Sequence, residues 1–492
     1  MKKTIIHTLF AAALMACLTG CGDSFLETKF HRGQDLDEGL TAVPIVDAAL
    51  NGAYDRFYNY RFAGRDVIAM GDIASDLSYW NAETSHWNDH YSFGLQESDL
   101  YLGECWEYGY KVIDGTNRIL HDAAKLYDKA TDPEKKALDR DMAEAYALRG
   151  LTRLYLTNIF GHQIKVNGKD FSGQPGIVIT DKVVSTTDQV KRSTVGESYA
   201  AIVSDLKNAL TRFAAAGDSR KKVYLGVAAT HGALARTYLY MENWNEAITH
   251  AQIALDSSKI TKLATTAADY RALYAGELTN EESIFALAIN GTKNFDAASL
   301  GTVWTTYSYG PSPKLRAMYK PSDVRTSIMA RNPKKGSESV PYYLGGKFAN
   351  AAGVPANSSN YLINAPEMYL IIAEAQLNKG NLEAARKALL VVAKRDTEIK
   401  STSDLPQTKE ALASFLQDER ARELFQEGFR LWDLRRWDVK ADVYAFGAPE
   451  VKFTFTGYKI SDFVYPIPVG EINAGFGVTQ TPGWSEALPK KK

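Results

Sequence analysis

The chain has 492 residues, 45% of them hydrophobic, with 57 basic against 58 acidic side chains and a formal net charge of -1. That balance excludes the electrostatic footprint of a nucleic-acid-binding protein, and Lys490, Lys491 and Lys492 form a short solvated tail rather than a basic patch. Length alone allows about three domains, but a scaffold that grows by stacking repeats reaches this size as one.

The chain opens with Lys2 and Lys3, an apolar run over residues 5–17, and then Leu18, Thr19, Gly20 and Cys21. A basic start, a short apolar core and small residues at a cut point make a signal peptide over residues 1–20. The apolar run is too short to span a bilayer. Cys21 directly behind Leu-Thr-Gly resembles a bacterial lipobox, so the mature chain is expected to begin there, acylated (palmitate among the chains) and held on a membrane. Residues 21–42 read as a polar, lipidated tether, and no second apolar run is long enough to cross a membrane. With Cys17 removed and Cys21 acylated, Cys105 is the one remaining thiol, so no intramolecular disulfide can form. Its apolar setting beside Trp106 marks Cys105 as a core residue rather than a nucleophile.

Val46, Ala49, Leu50, Ala53 and Phe57 recur at helical spacing. Over residues 61–99 the periodicity fades, and aromatic, Asn and Asp residues crowd in. Helical pattern resumes over 101–127 and again over 132–160, with a start signal at Thr131-Asp132-Pro133 and a stop at Gly161. Residues 227–257 then predict a helical hairpin. Ala229, Ala233, Leu234, Tyr238 and Leu239 form one stripe, Glu242-Asn243 a turn, and Trp244, Ala247, Ile248 and Ala251 a second stripe. Residues 364–395 repeat it with Tyr369, Leu370, Ala373 and Leu377, a turn at Lys379-Gly380-Asn381, then Leu382, Ala385, Ala388 and Leu389. The spacing resembles that of tetratricopeptide repeats, and one such hairpin cannot bury its apolar face alone. Residues 144–160 and the helix around Leu50 are candidates for further hairpins. Residues 259–360 are too long for a structureless loop and read as an irregular insertion with a strand over 283–289. The segment after Trp437 is similar, with a strand over 451–455. The expected fold is mainly α: tetratricopeptide-like hairpins in one domain over residues 43–492, with long irregular insertions near 61–99 and 259–360 and a few short strands.

Two aromatic clusters in those insertions are candidates for ligand binding. Tyr79, Trp80, Trp87 and Tyr91 stand among Asp76, Asn81, Asn88 and Asp89, and Trp304, Tyr307 and Tyr309 form the second group. Flat apolar faces beside polar groups suit sugar C–H surfaces and hydroxyls. The clusters are expected to converge on one concave surface, their rings solvated and adding little to the core. His86 and His90 have the i,i+4 spacing of a metal pair, but Asn88-Asp89 disfavour a helix there, and no metal is expected. Gly94, Gly345-Gly346 and Gly475-Phe476-Gly477 lack the strand-to-helix setting of a phosphate loop, so no cofactor is expected.

The densest motif runs from Glu419 to Trp437. Ala421, Leu424, Phe425, Gly428, Leu431 and Trp432 fall on one helical face, and Glu419, Glu423 and Glu427 follow each other at i,i+4 with arginines interleaved. Carboxylates so spaced could serve a glycosidase. Arg420, Arg422 and Arg430, however, should hold Glu423 and Glu427 ionised, whereas a general acid needs a raised pKa. The expectation is an ion-pair network and no catalytic residue.

This motif resembles the SusD/RagB family of outer-membrane nutrient-binding lipoproteins. Further matches span the chain: Cys21-Gly22-Asp23 with Phe25 and Leu26; Ala143-Glu144-Ala145 with Leu148-Arg149; Pro311-Ser312 with Leu315, Tyr319 and Asp323-Val324-Arg325; and Pro466-Ile467-Pro468. Gln480-Thr481-Pro482-Gly483-Trp484 resembles the family's Gln-Asn-Pro-Gly-Tyr, departing at Thr481 and Trp484. The resemblance implies a cell-surface lipoprotein of the outer membrane, anchored through Cys21, that binds an oligosaccharide or polysaccharide. It also implies a partner, a SusC-like TonB-dependent transporter. In the RagB branch the ligand is a peptide. A tetratricopeptide-type protein-interaction module without a small ligand is the alternative.

Overall fold

The computed structural model describes residues 39–81, 84–185, 187–217, 221–336, 341–348, 354–444, 452–454 and 460–489. Cys21, the expected signal peptide and most of the expected tether lie outside the described residues. The last tether residues are docked: the Leu40 backbone N–H donates to the Asp122 carboxylate at 2.9 Å.

The longer helices are α1 (Val43–Tyr58), α2 (Leu100–Tyr127), α3 (Asp132–Phe160), α4 (Val195–Ala216), α5 (Val227–Tyr240), α6 (Trp244–Ser258), α7 (Ala365–Asn378), α8 (Leu382–Ala393), α9 (Lys409–Leu424) and α10 (Arg430–Trp437). Helix α3 packs between α2 and α4, α5 folds back on α6, α7 folds back on α8, and α6 meets α7. Both predicted hairpins are present, with their turns at Met241–Asn243 and Lys379–Asn381. Mostly helical stacking with few short strands is therefore the fold. Among the described residues no helix is long and apolar enough to cross a membrane. Cys105 is buried in α2, and burial pushes its thiol pKa well above the ordinary value.

The stacked helices are locked by buried charge as well as apolar packing. Arg149 and Arg153 of α3 grip Asp205 of α4 at 2.6 and 2.7 Å. Arg236 of α5 donates to both carboxylate oxygens of Glu367 on α7, at 2.6 and 2.7 Å, and so ties one hairpin to the other. Such pairs are satisfied inside, where an unpaired charge would be severely destabilising.

The insertion after α6 returns to the scaffold through a two-stranded antiparallel pair, β2 (Ser283–Leu287) with β4 (Asn360–Asn364). Two shorter strands, β1 (Ser78–Trp80) and β3 (Tyr309–Pro311), pair elsewhere. The strand expected near 451–455 is present as Lys452–Thr454.

One expectation needs correction. The Glu419–Trp437 motif is not one helix: α9 ends at Leu424, Gln426 and Gly428 take positive φ, and α10 begins at Arg430. The break is a packing requirement. A Cβ on Gly71 would lie 2.1 Å from the Gly428 carbonyl oxygen, so two glycine backbones meet face to face there. Asp72, one residue on, accepts the backbone N–H groups of Gly428 and Arg430, each at 3.1 Å.

Candidate functional site

The two aromatic clusters meet. Antiparallel pairing of β1 with β3 sets Ser78 opposite Pro311, Tyr79 opposite Gly310 and Trp80 opposite Tyr309. Glycine is required at 310 by the neighbouring strand Pro341–Gly345, since a Cβ would stand 2.3 Å from the Tyr343 carbonyl oxygen. Tyr91 sets its edge against both Trp80 and Tyr309, at 5.9 and 5.8 Å. The Tyr309 hydroxyl donates to the His86 carbonyl at 2.7 Å. Tyr79 lies against Tyr342, and Trp304 against Phe425 of the charged motif.

Exposure differs from expectation. Tyr79, Trp80, Trp87, Tyr91, Trp304 and Tyr309 are all buried, Trp304 and Tyr309 completely. Aromatic area in a polar stretch of sequence has been used to bind irregular backbone to the helices, so these rings are not the solvated faces anticipated. Tyr307 alone of the seven keeps a partly exposed face. It stacks on the exposed ring of His86 at 4.2 Å, and its hydroxyl donates to the Ala297 carbonyl at 2.8 Å.

Around Tyr307 lies a half-buried aromatic surface that sequence reasoning missed. His86 Nδ1 is hydrogen-bonded to the Tyr101 hydroxyl at 3.0 Å, and Tyr101 stacks at 3.9 Å on Trp87, whose backbone is left-handed. Burial pushes the Tyr101 phenol up to about 12, so it stays protonated. The Arg65 guanidinium lies over Tyr60 at 4.7 Å and Tyr101 at 5.3 Å. Arg61 covers Tyr60 at 4.5 Å and Tyr108 at 5.4 Å, and its Nε bonds Glu104 at 2.8 Å. Tyr60, Tyr101, Tyr108 and Tyr307 thus offer partly open rings held by arginines and a histidine. A signal was present: Tyr101, Glu104 and Tyr108 are spaced i, i+3 and i+7 on one face of α2.

Beyond the Arg61–Glu104 pair the surface runs into a groove of about 990 Å³ between α2 and the segments around 178–190 and 468–476. Tyr108 and Glu104 belong to both. Leu100, 67% exposed, and Phe476, 36% exposed, stand at the groove; few large apolar side chains of the described residues are this open. The C-terminal motifs build its wall. Gln480 bonds both the N–H and the carbonyl of Ile467 at 3.0 Å, and the indole N–H of Trp484 donates to Glu97 at 3.1 Å.

The polar flank anticipated for the ligand is only partly available. Asp76 is fully buried between Arg430 and Lys314; burial opposes its ionisation, but the two cations outweigh it and hold the carboxyl at about 2. Asp89 is exposed, and Asn81 and Asn88 half-buried. His90 is buried with Nε2 at 3.2 Å from Asp99. The described residues contain no cluster of three or more His, Cys, Asp or Glu fit for a metal.

The glutamate series is buried and paired, Glu419 in part with its sequence neighbour Arg422 but otherwise with cations brought in by the fold. Glu423 sits between Arg325 (2.9 Å) and Arg395 (3.0 Å), and Glu419 between Arg325 (2.9 Å) and Arg422 (3.0 Å). Arg420 instead holds Asp433, and Arg430 holds Asp76. Burial acts to raise the Glu423 pKa, but Arg395 and Arg325 overcome it and bring it to about 2. Glu427 departs from expectation: burial raises its pKa despite the ammonium of Lys347 beside it.

Residues 293–484 match the model of the SusD family, and residues 24–239 match a model described as starch-binding associating with outer membrane. Comparison with curated proteins gives no match. Among solved structures, a SusD superfamily protein of Bacteroides thetaiotaomicron VPI-5482 has 23% identity and a TM-score of 0.78 over 90% of this chain and 100% of its own. One of Bacteroides vulgatus ATCC 8482 has 25% identity and a TM-score of 0.78 over 90% and 99%. A SusD-like carbohydrate binding protein of the same organism has 20% identity and a TM-score of 0.70 over 91% and 98%.

Proposed function

Because the chain belongs to the SusD/RagB family, we propose that it captures oligosaccharides at the outer membrane and hands them to a SusC-like TonB-dependent transporter. It acts by binding and release rather than by chemistry. The observation that carries the reading is the union of two distant aromatic segments through β1 and β3, which leaves Tyr60, Tyr101, Tyr108 and Tyr307 partly open beside a groove of ligand size. Sugar C–H faces stack on the tyrosine rings, and Arg61, His86 and Asp89 face the hydroxyls. The buried rings Tyr79, Trp80, Trp87, Tyr91, Trp304 and Tyr309 support this surface from beneath. Acylated Cys21 and the tether keep the body at the membrane, where the transporter can receive the ligand.

A glycan and peptide array probed with the protein from Gly22 onward tests the reading. Saccharide binding that Tyr307→Ala weakens supports it. Binding of peptides alone would move the chain to the RagB type of ligand.

A further inference from the structure

A second groove, of about 590 Å³, shares no lining residue with the first. It lies where the start of α5, the end of α6 and β2 come together, and four lysines line it: Lys221, Lys222, Lys259 and Lys262. Glu281 is the one acidic residue of its lining. In a chain with a net charge of -1 this is a marked local excess of positive charge. Among the described residues, no carboxylate lies within ion-pair distance of Lys221, Lys259 or Lys262, and all three are exposed. Lys222 is half-buried, its ammonium fixed on the Asn280 carbonyl at 2.9 Å.

The backbone adds to the field. Helix α5, with Gly226 as its N-cap and no acidic residue in its first turn, brings Gly226, Ala228 and Ala229 of its positive end to the groove. Lys259 takes a left-handed conformation at the end of α6 and turns the chain, so that Lys262 lines the groove as well. Ser257, Ser258 and Thr261 bring hydroxyl groups among the lysines.

We infer that this groove is a second saccharide site, selective for chains carrying sulfate or phosphate esters. The inference rests on the carbohydrate-binding reading above. The volume exceeds what a single oxyanion fills and falls in the range that holds a small ligand. Lysines act as separate point charges on flexible stems, which suits esters irregularly placed along a chain, whereas arginine forks demand a fixed planar partner. The anionic groups can come from a free glycan or from the phosphorylated sugar headgroup of a surrounding lipid.

The test uses a short dextran sulfate oligosaccharide, uncharged dextran of the same length, and phosphatidylcholine vesicles with and without lipid A. Each is titrated into the wild-type chain, the Lys259→Ser/Lys262→Ser variant and Tyr307→Ala, with thermal melts as a folding control. The expected result is binding of dextran sulfate that weakens with added salt and falls about tenfold or more in the lysine variant, while Tyr307→Ala leaves it unchanged. Lipid A vesicles bound in place of dextran sulfate, with the same dependence on Lys259 and Lys262, assign the lipid headgroup as the source. Equal binding of charged ligands by wild type and lysine variant, or no binding of either, overturns the inference. Loss through Tyr307→Ala instead overturns it while leaving the aromatic surface as the saccharide site.

Discussion

Trp80 and Tyr309 lie ring against ring, their centroids 6.1 Å apart and their planes 9° from parallel, as direct partners across the β1–β3 ladder. Each covers a face of the other, and Tyr91 closes the edge. The apolar area is thus used within the protein, and the rings left partly open are the half-buried Tyr60, Tyr101, Tyr108 and Tyr307.

Ring deletions should therefore fall into two groups. Trp304→Ala and Trp80→Ala are expected to lower stability by about 3–5 kcal/mol, since each empties a buried site. Tyr307→Ala should leave the melting temperature nearly unchanged and weaken glycan binding, by about 2 kcal/mol or more if Tyr307 is a central anchor. Isothermal titration beside thermal melts separates the two groups. A Tyr307→Ala protein that binds normally would remove this ring from the site.

Glu423 is the keystone of a charged cluster joining the insertion, the end of α8 and α9. Replacing it with Ala removes the carboxylate that Arg325 and Arg395 share, leaving Asp323 and Glu419 on Arg325 and Glu282 alone on Arg395. The expected loss is about 3–5 kcal/mol, far above the roughly 0–1 kcal/mol of an exposed pair. Urea unfolding of Glu423→Ala against wild type reads it directly, and an unchanged midpoint would refute the structural role.

Acid and neutral pH should weaken the fold for opposite reasons. Glu423 has its pKa lowered from 4.5 to about 2 in the folded protein, so its stabilisation is complete above 4.5 and is lost as pH falls from there toward 2. Asp72 is raised from 3.8 to about 7, chiefly by burial against the opposing N–H groups of Gly428 and Arg430. The folded state keeps a proton on Asp72 that the unfolded chain releases, so this contribution is complete below 3.8 and lost as pH rises through 7. Stability curves should have a shallower acid limb in Glu423→Gln, with Asp76 still contributing to it, and flatten between 3.8 and 7 in Asp72→Asn. Superimposable pH profiles for wild type and both variants would contradict the assignment.

Anchoring should depend on Cys21 alone. Cys21→Ala is expected to release the protein from the membrane fraction without shifting its melting temperature, because the described contacts of the tether begin only at its end, with Leu40 on Asp122. Fractionation of cells lacking the transporter gives the clean reading, since a docked partner could retain the body. A variant that stays with membranes in those cells is incompatible with a lipid anchor.

Helices with a clear apolar period were legible almost to the residue: the expected 132–160 is Asp132–Phe160, and 101–127 is Leu100–Tyr127. Helix α4 went unread, although Thr194 and Glu197 form a capping box before a stripe of Val195, Ile202, Leu206 and Phe213, and Gly217 stops it. The break at Phe425–Phe429 was illegible because its cause is Gly71, a backbone brought in from far along the chain. The same holds for the charges: Arg325, Arg395 and Lys347 reach the glutamates only through the fold. The half-buried tyrosines stayed hidden because exposure is decided by packing, and composition shows only which rings are available.

The β1–β3 ladder also bears on the order in which the molecule becomes competent. Its two strands are separated in the chain by α2 to α6, so closing it means ordering a very long loop, and contacts this distant form late. Each helical hairpin, by contrast, can form from neighbouring residues. A chain with its hairpins built would still lack the joined aromatic segments of the β1–β3 ladder. The aromatic surface that the ladder assembles is then a property of the finished molecule alone.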